Sequence, residues 1–312
     1  MFQYVARRLL FSIPVFLGVV TIVFFVVRVI PGDPAVAALG DYASKEAVEA
    51  LRTRMGLNDP LLVQYGRFLM DLARGDLGKS MITSVPIRDQ VAHALPYSLE
   101  LTGLAILIGV SLGVPIGAYT AVRRNRLADY VGRVLALTGL SVPAFYLGIL
   151  LMLLVAIQLG WLPAIGGGDR SDPRDIARHV ILPALTLGLV MTASVARLSR
   201  SAMLSVVSQD YVRTARAKGL REWLVLSRHA LRSALLPIVS VIGVWAVSLI
   251  GDSVTVEVVF ARPGLGKMMV GAILQRDYTA LQSVMVVYTG VVVLINLLTD
   301  LVYGWVDPRV RH

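Results

Sequence analysis

The sequence has no cysteine, which excludes disulfides and thiolate metal sites. It has little charge: Asp, Glu, Lys and Arg make up only 16% of 312 residues, against 56% hydrophobic residues. The mean hydropathy is +0.72, and a water-soluble domain of this length would have too little polar surface to cover such a core. The four histidines, His93, His179, His229 and His312, are scattered and show no metal-ligand spacing. No nucleophile–base arrangement for an enzyme stands out. Nor is there an internal duplication of the kind that marks self-sufficient secondary transporters. What remains is a membrane protein. In such a chain the placement of the +10 net charge matters more than its sum, and no nucleic-acid partner is expected.

A helix needs about 20 apolar residues to cross the hydrocarbon layer. Six segments qualify: Leu9–Ile30, Ser98–Val122, Val131–Leu159, Val180–Ala196, Ala234–Gly251 and Leu281–Val302. The first follows Arg7 and Arg8 but is too long for the apolar region of a secretory signal, and no small-residue cleavage site follows it. It reads as a retained span that contains Pro14. Pro143 inside the third predicts a tilt or kink. The fifth runs toward the more polar "DSVTVEVVF". Basic residues gather before span one, between spans two and three (Arg123, Arg124, Arg126, opposed by Asp129), between spans four and five, and after span six (Arg309, Arg311). By the positive-inside rule this face is cytoplasmic. The expectation is an all-α membrane protein of six transmembrane helices, with N and C termini cytoplasmic and a large outer loop after the first helix.

That outer loop is balanced in charge, with seven basic residues between Lys45 and Arg88 facing eight acids between Asp33 and Asp89. "SKEAVEALRTRMG" has a Ser N-cap, acids in its first turn and a closing Gly, and "DPLLVQYGRFLMDLARG" looks like a second helix. The loop ends in "ARGDLGKS" (Ala73–Ser80), close to a phosphate-binding loop. Its first position is Ala where that motif requires Gly, and no strand precedes it. A second near match, "ARPGLGKM" from Ala261, lacks the final Ser or Thr. Neither is read as a nucleotide site; Gly75 and Gly78 are expected to shape a turn.

The basic stretch "DYVRTARAKGLREWLVLSRHALRSALLP" (Asp210–Pro237) carries the most information. Thr214–Lys218 favours helix and Gly219 suits a C-cap. A second helix is expected from about Leu220, merging into span five. A short helix with a Gly stop suits another protein's groove, and a basic loop equally suits an anionic lipid surface. Acids near spans are costly. Asp252, Ser253 and Glu257 are candidates for a wet pathway or outer gate, or else mark the point where the helix reaches the outer interface. Asp300 is expected in an ion pair with Arg309, and Asn296 in an interhelical hydrogen bond. Arg28 is expected to snorkel, Trp161, Tyr303 and Trp305 to anchor at the interface, and Gly113 and Gly117 to allow close helix packing.

The same stretch resembles the cytoplasmic "EAA" loop of binding-protein-dependent ABC importer permeases, which reads Glu-Ala-Ala, three residues, then Gly. Here Arg213, Thr214 and Ala215 occupy the first three places and Gly219 the last. "YVRTARAKGL" with "RHALRSALLP" is similar to the peptide and nickel branch, with Ser233 where that branch often has Asn. "PGDP" (Pro31–Pro34), "MGLNDPLLVQYGRF", "GDLGKS", "VEVVFARPGLG" (Val256–Gly266), "RDY" (Arg276–Tyr278) and "DPRVR" (Asp307–Arg311) extend the resemblance along nearly the whole chain.

The resemblance implies a type I importer permease core in a bacterial plasma membrane. Residues 1–30 would form the N-terminus and first helix, 31–96 an extracytoplasmic subdomain, 97–304 the core with a coupling loop at 197–233, and 305–312 a cytoplasmic tail. The implied partners are a homologous second permease, two ATPase subunits or domains that bind ATP and Mg, an extracytoplasmic substrate-binding protein and the lipid bilayer; this chain itself would hold no cofactor. Coupling to the ATPase would fall to Tyr211, Arg213, Thr214, Ala215, Arg216, Ala217, Lys218, Gly219, Leu220 and His229. Dipeptides or oligopeptides would be the cargo, with nickel or glutathione as alternatives. An ion-coupled secondary transporter is the alternative from another class.

Overall fold

The computed structural model describes residues 2–29, 33–40 and 42–306. Pro31, Gly32, Arg309 and the 307–311 segment, together with His312 and the side chain of Trp305, lie outside the described residues. The elements are α1 (Phe2–Val29), α2 (Pro34–Leu39), α3 (Lys45–Arg54), α4 (Leu61–Ala73), α5 (Ile87–Val122), α6 (Leu127–Ser141) and α7 (Ala144–Leu151). Then follow α8 (Pro173–Val207), α9 (Asp210–Ala217), α10 (Glu222–Leu224), α11 (Arg232–Val259), α12 (Leu265–Leu274) and α13 (Tyr278–Val306). Two π-helical stretches, Met152–Gln158 and Val225–Leu231, extend α7 and join α10 to α11.

Among the described residues five helices are long and apolar enough to cross a membrane, or six if the bent α6–α7 pair is one span. The bend is 102°. Its cause is local: Pro143 has no N–H to continue the helix, and Val142 before it is forced into the extended region (φ −90°, ψ 121°). The expected kink is therefore a full break. The helices also outrun their apolar runs. α5 starts at Ile87 and α8 spans Pro173–Val207, because Asp172 accepts a hydrogen bond from the Arg174 N–H (2.9 Å) and Pro173 occupies the first turn.

The chain divides into two compact units. One comprises residues 10–97 and 263–293. Its core gathers Val23 and Val27 of α1, Ile87 and Val91 of α5, Leu265 of α12 and Leu281 and Val284 of α13. α2 is capped by Asp33, whose side chain accepts from the Ala35 N–H (2.9 Å). α3 is capped by Ser44, as its sequence predicts (3.2 Å to the Ala47 N–H). Gly75 and Gly78 both sit at φ +74°, so the phosphate-loop look-alike is a turn built on left-handed glycines. Ser80 at its end donates to buried Asp277 (2.5 Å).

The other unit comprises residues 1–9, 98–262 and 294–312, and α8 is its centre. About 72% of the apolar stretch of α8 is buried, against 33% for α5. α5 meets it through glycines four residues apart. A Cβ on Gly109 would lie 2.5 Å from Met191, on Gly113 2.7 Å from Val195, and on Gly117 2.4 Å from the Ala196 carbonyl oxygen. Small residues bring the two backbones together, and dispersion over the contact then holds them. At the start of α6, buried Asp129 accepts two hydrogen bonds from Arg200 of α8 (2.6 and 2.8 Å) and one from the Asn125 N–H (3.0 Å).

One expectation is met in part and one is corrected. Asp300 forms an ion pair with Arg8 (3.1 Å), the start of α1 and the end of α13 belonging to the same unit; its expected partner Arg309 lies outside the described residues. Asn296 is exposed and forms no hydrogen bond among the described residues.

Gly117→Val is predicted to destabilise the chain by about 1–3 kcal/mol, because the obstructing atom is backbone and cannot swing away. Gly103→Ala, with nothing within 4 Å of its added Cβ, should leave thermal stability unchanged or slightly raised. Melting of the purified importer in detergent checks both.

Candidate functional site

The basic loop after α8 folds as a short helix seated on a long one. α8 ends at Ser208, the chain turns at Gln209 (φ −73°, ψ 150°), and α9 begins at Asp210. An acid in this first turn favours the helix dipole. Thr214 donates to the Asp210 carbonyl (3.0 Å). Val212 and Ala215, three residues apart, point inward and pack on Val225, with Val206 beside them. Gly219 then takes φ +76°, the left-handed C′ conformation, and its N–H reaches the Arg216 carbonyl (2.9 Å). The helix predicted over Thr214–Lys218 thus begins four residues earlier.

A charged clasp closes the turn. Arg216 donates to both carboxylate oxygens of Glu222 (3.1 and 2.8 Å). These bonds raise the Arg216 pKa above its ordinary value. From Glu222 the chain stays helical for 38 residues to Val259, through the π-helical stretch and past Pro237. At about 1.5 Å per residue this is a rod of roughly 55 Å. The expected merger of the loop's second helix with span five is therefore present. α9 is held on the rod by one apolar trio and one bidentate pair.

Eight of the candidate coupling residues are exposed: Tyr211, Arg213, Thr214, Arg216, Ala217, Lys218, Gly219 and Leu220. Three have partners or positions within the chain that the sequence did not reveal. Ala215 was expected to admit a partner's backbone and is instead buried under its own chain's Val225. Arg216 was expected to meet an outside acid and is clasped by Glu222. His229 sits half-buried on the π-helical stretch of the rod, not on α9. Sequence reasoning missed Trp223, which is 76% exposed, and its neighbour Leu224. The available signal was the apolar run Trp223–Leu226 between Glu222 and the basic residues that follow.

The second candidate group splits in two. Ser253 and Glu257 are four residues apart and share one buried face of α11. Asp252 lies five residues before Glu257, about 140° around the helix, and is half-exposed. Glu257 has no solvent exposure. Ser98 of α5 donates to it at 2.6 Å. Nearby in sequence, Glu100 takes hydrogen bonds from Arg170 (3.0 Å) and fully buried Arg262 (2.9 Å). Ser253 donates to the Ile250 carbonyl (2.7 Å). Among the described residues no group of His, Asp and Glu is arranged to hold a metal ion.

Residues 113–312 match the model of the binding-protein-dependent transport system inner membrane component, and residues 1–102 match that of the N-terminal part of the same transport-system membrane component. The chain belongs to this family. The dipeptide transport system permease protein of Alkalihalophilus pseudofirmus is 38% identical, with all of both chains covered. The glutathione transport system permease protein of Pectobacterium atrosepticum is 41% identical, again with all of both covered. Among solved structures, an inward facing form of the MetNI methionine ABC transporter matches with a TM-score of 0.56 at 19% identity, covering 70% of this chain and 96% of that one. This last likeness shows the fold. The protein is thus a permease subunit of an ABC importer, a multi-pass protein of the bacterial inner membrane that works with ATPase and substrate-binding partners.

The permease's clasp is 38% and 50% exposed on its two sides, so its energetic worth is about 0.2–1 kcal/mol and its effect is geometric. Arg216→Glu should increase the mobility of a spin label on Ala217→Cys, the only thiol in the chain. Arg216→Glu combined with Glu222→Arg should restore the parent spectrum. Spin-label line width in the assembled importer reads both.

Proposed function

We propose that this permease forms half of the translocation pathway of a peptide importer, beside a homologous second permease and above two ATPase subunits. The observation that carries the coupling role is the rigid seating of α9 on a helix that runs unbroken from Glu222 to Val259. The exposed surface of Tyr211, Arg213, Lys218, Leu220 and Trp223 combines an apolar centre with cations at its edge. Such a surface fits a cleft with acidic walls. ATP and Mg belong to the partner subunits. Closure of the ATPase pair would push on α9, the rod would transmit the push, and the pathway above would open outward; hydrolysis would let it return. In this reading the chain catalyses nothing itself, and its termini and the α9 loop are cytoplasmic. Of the acidic candidates, Asp252 is assigned to the pathway because it alone retains exposure. Ser253 and Glu257 support it from the packed face.

The relatives named for dipeptides and glutathione have in common a short peptide with a free carboxylate. That chemistry supports peptides over nickel as cargo. An ion-coupled transporter would need no docking helix.

Gly219→Val tests the coupling role. A Cβ there meets nothing within 4 Å, so the cost is backbone strain alone, about 1–2 kcal/mol for a left-handed residue. Peptide uptake should fall steeply while membrane insertion stays intact. Gly219→Asn, which tolerates this conformation, should transport nearly as the parent. Trp223→Cys should form a cross-link to an ATPase subunit in the assembled importer. Normal uptake by Gly219→Val, together with no cross-link from Trp223→Cys, would end this reading.

A further inference from the structure

The unit formed by residues 10–97 and 263–293 contains a cleft of about 900 Å³, within the range of small-molecule sites. Three arginines line it. Arg52 is neutralised by Asp33 (Nε to Oδ2, 2.7 Å), and Arg67 by Asp59. Arg28 has no such partner among the described residues. Its guanidinium carbon lies over the Phe24 ring, 3.4 Å from the centroid. Nε donates to Gln64 Oε1 and Nη1 to Gln282 Oε1 and the Phe24 carbonyl, each at 3.1 Å. Two neutral carboxamides, a carbonyl and a ring face therefore fix the cation in place without cancelling its charge. Nη2 has no hydrogen-bond acceptor among the described residues.

An uncompensated cation held half-buried against apolar side chains is costly unless an anion completes it. With Nε and Nη1 already engaged, the two N–H groups of Nη2 remain to donate to a carboxylate in a charge-assisted hydrogen bond. The same cleft is lined by Asp71 and Asp76, both exposed, which favour an amine. Phe68, Leu61 and Tyr278 add apolar surface to the lining. We infer that this cleft is a peptide site, with Arg28 receiving the terminal carboxylate and the Asp71–Asp76 rim attracting the amino end. The inference rests on the proposed peptide cargo and adds a contact made by this subunit itself. It requires no covalent step.

The test uses the full importer in nanodiscs of neutral lipid, without its binding protein. Asn58, which lines the cleft, is changed to Cys, the only thiol in this chain. Its alkylation by a maleimide is followed by mass spectrometry of this chain. Dialanine should slow alkylation and dialanine amide should not. Arg28→Gln should weaken protection roughly tenfold or more, the worth of a charge-assisted hydrogen bond, while Arg28→Lys should keep part of it. If Arg28→Gln fails to assemble, the acid-against-amide comparison on the parent chain and the Lys variant decide. Equal protection by acid and amide, or equal protection in Arg28→Gln, overturns the site. So does protection by phosphatidylglycerol nanodiscs without peptide, which would assign the anion to lipid phosphate. Absent protection with normal binding-protein-dependent uptake of dialanine sinks the cleft alone. Failure of the parent importer to take up dialanine sinks the peptide reading instead.

Discussion

A short helix can carry force only if it does not slide on what it pushes. In this permease the constraint is met by the contact of Val212 and Ala215 with Val225, reinforced by the Arg216–Glu222 clasp. The two devices differ in kind. The apolar trio excludes water and sets the distance between α9 and the rod, and burial is its whole contribution. The clasp is partly exposed and weak in free energy, yet its bidentate geometry fixes the angle. Gly219 makes both possible at once, because only a left-handed residue turns the chain tightly enough to bring Glu222 back beside Arg216.

The rod's movement is constrained in turn by its neighbours in the same unit. Leu249, Val256 and Phe260, from α11 and the turn after it, share a core cluster with Leu182, Leu187 and Met191 of α8. α5 approaches α8 through Gly109, Gly113 and Gly117. Between lipid-facing helices there is little hydrophobic drive for association, so close approach and dispersion must supply it. A packed interface of this kind does not deform smoothly; it shifts between discrete arrangements. That property suits a pathway that alternates between two states.

Much of this was legible from residue order. The apolar runs located the spans, Pro143 located the break, and "TARAKG" located a capped helix. The fourfold glycine spacing in α5 foretold its close partner, though not which helix that partner is. What was illegible shares one cause: pairing between residues far apart in sequence. Arg216 was read as facing outward because Glu222 could not be placed beside it before the turn at Gly219 was known. The pairing of Asp300 with Arg8 was not foreseen, because Arg8 lies nearly the full chain length away. The Ser98 donor to Glu257 was not foreseen because it sits 159 residues earlier. Trp223 was passed over because hydropathy averages hide a pair of large apolar residues among charges.

Among the described residues two acids are fully buried, and they explain how such a core tolerates ionisable groups. An unpaired carboxylate at depth would cost several kcal/mol or take up a proton. Asp129 and Glu257 each receive donors from a different helix, Arg200 of α8 in one case and Ser98 of α5 in the other. Each acid thus pins two helices, α6 to α8 and α11 to α5. Combined with the glycine contact of α5 on α8, the pins link α6, α8, α5 and α11 into one chain of contacts. α9 follows α8 directly and is seated on the helix that becomes α11. A push on α9 therefore enters this set from both ends, through the covalent turn at Gln209 and through the Val225 seat, and the helices must answer it together.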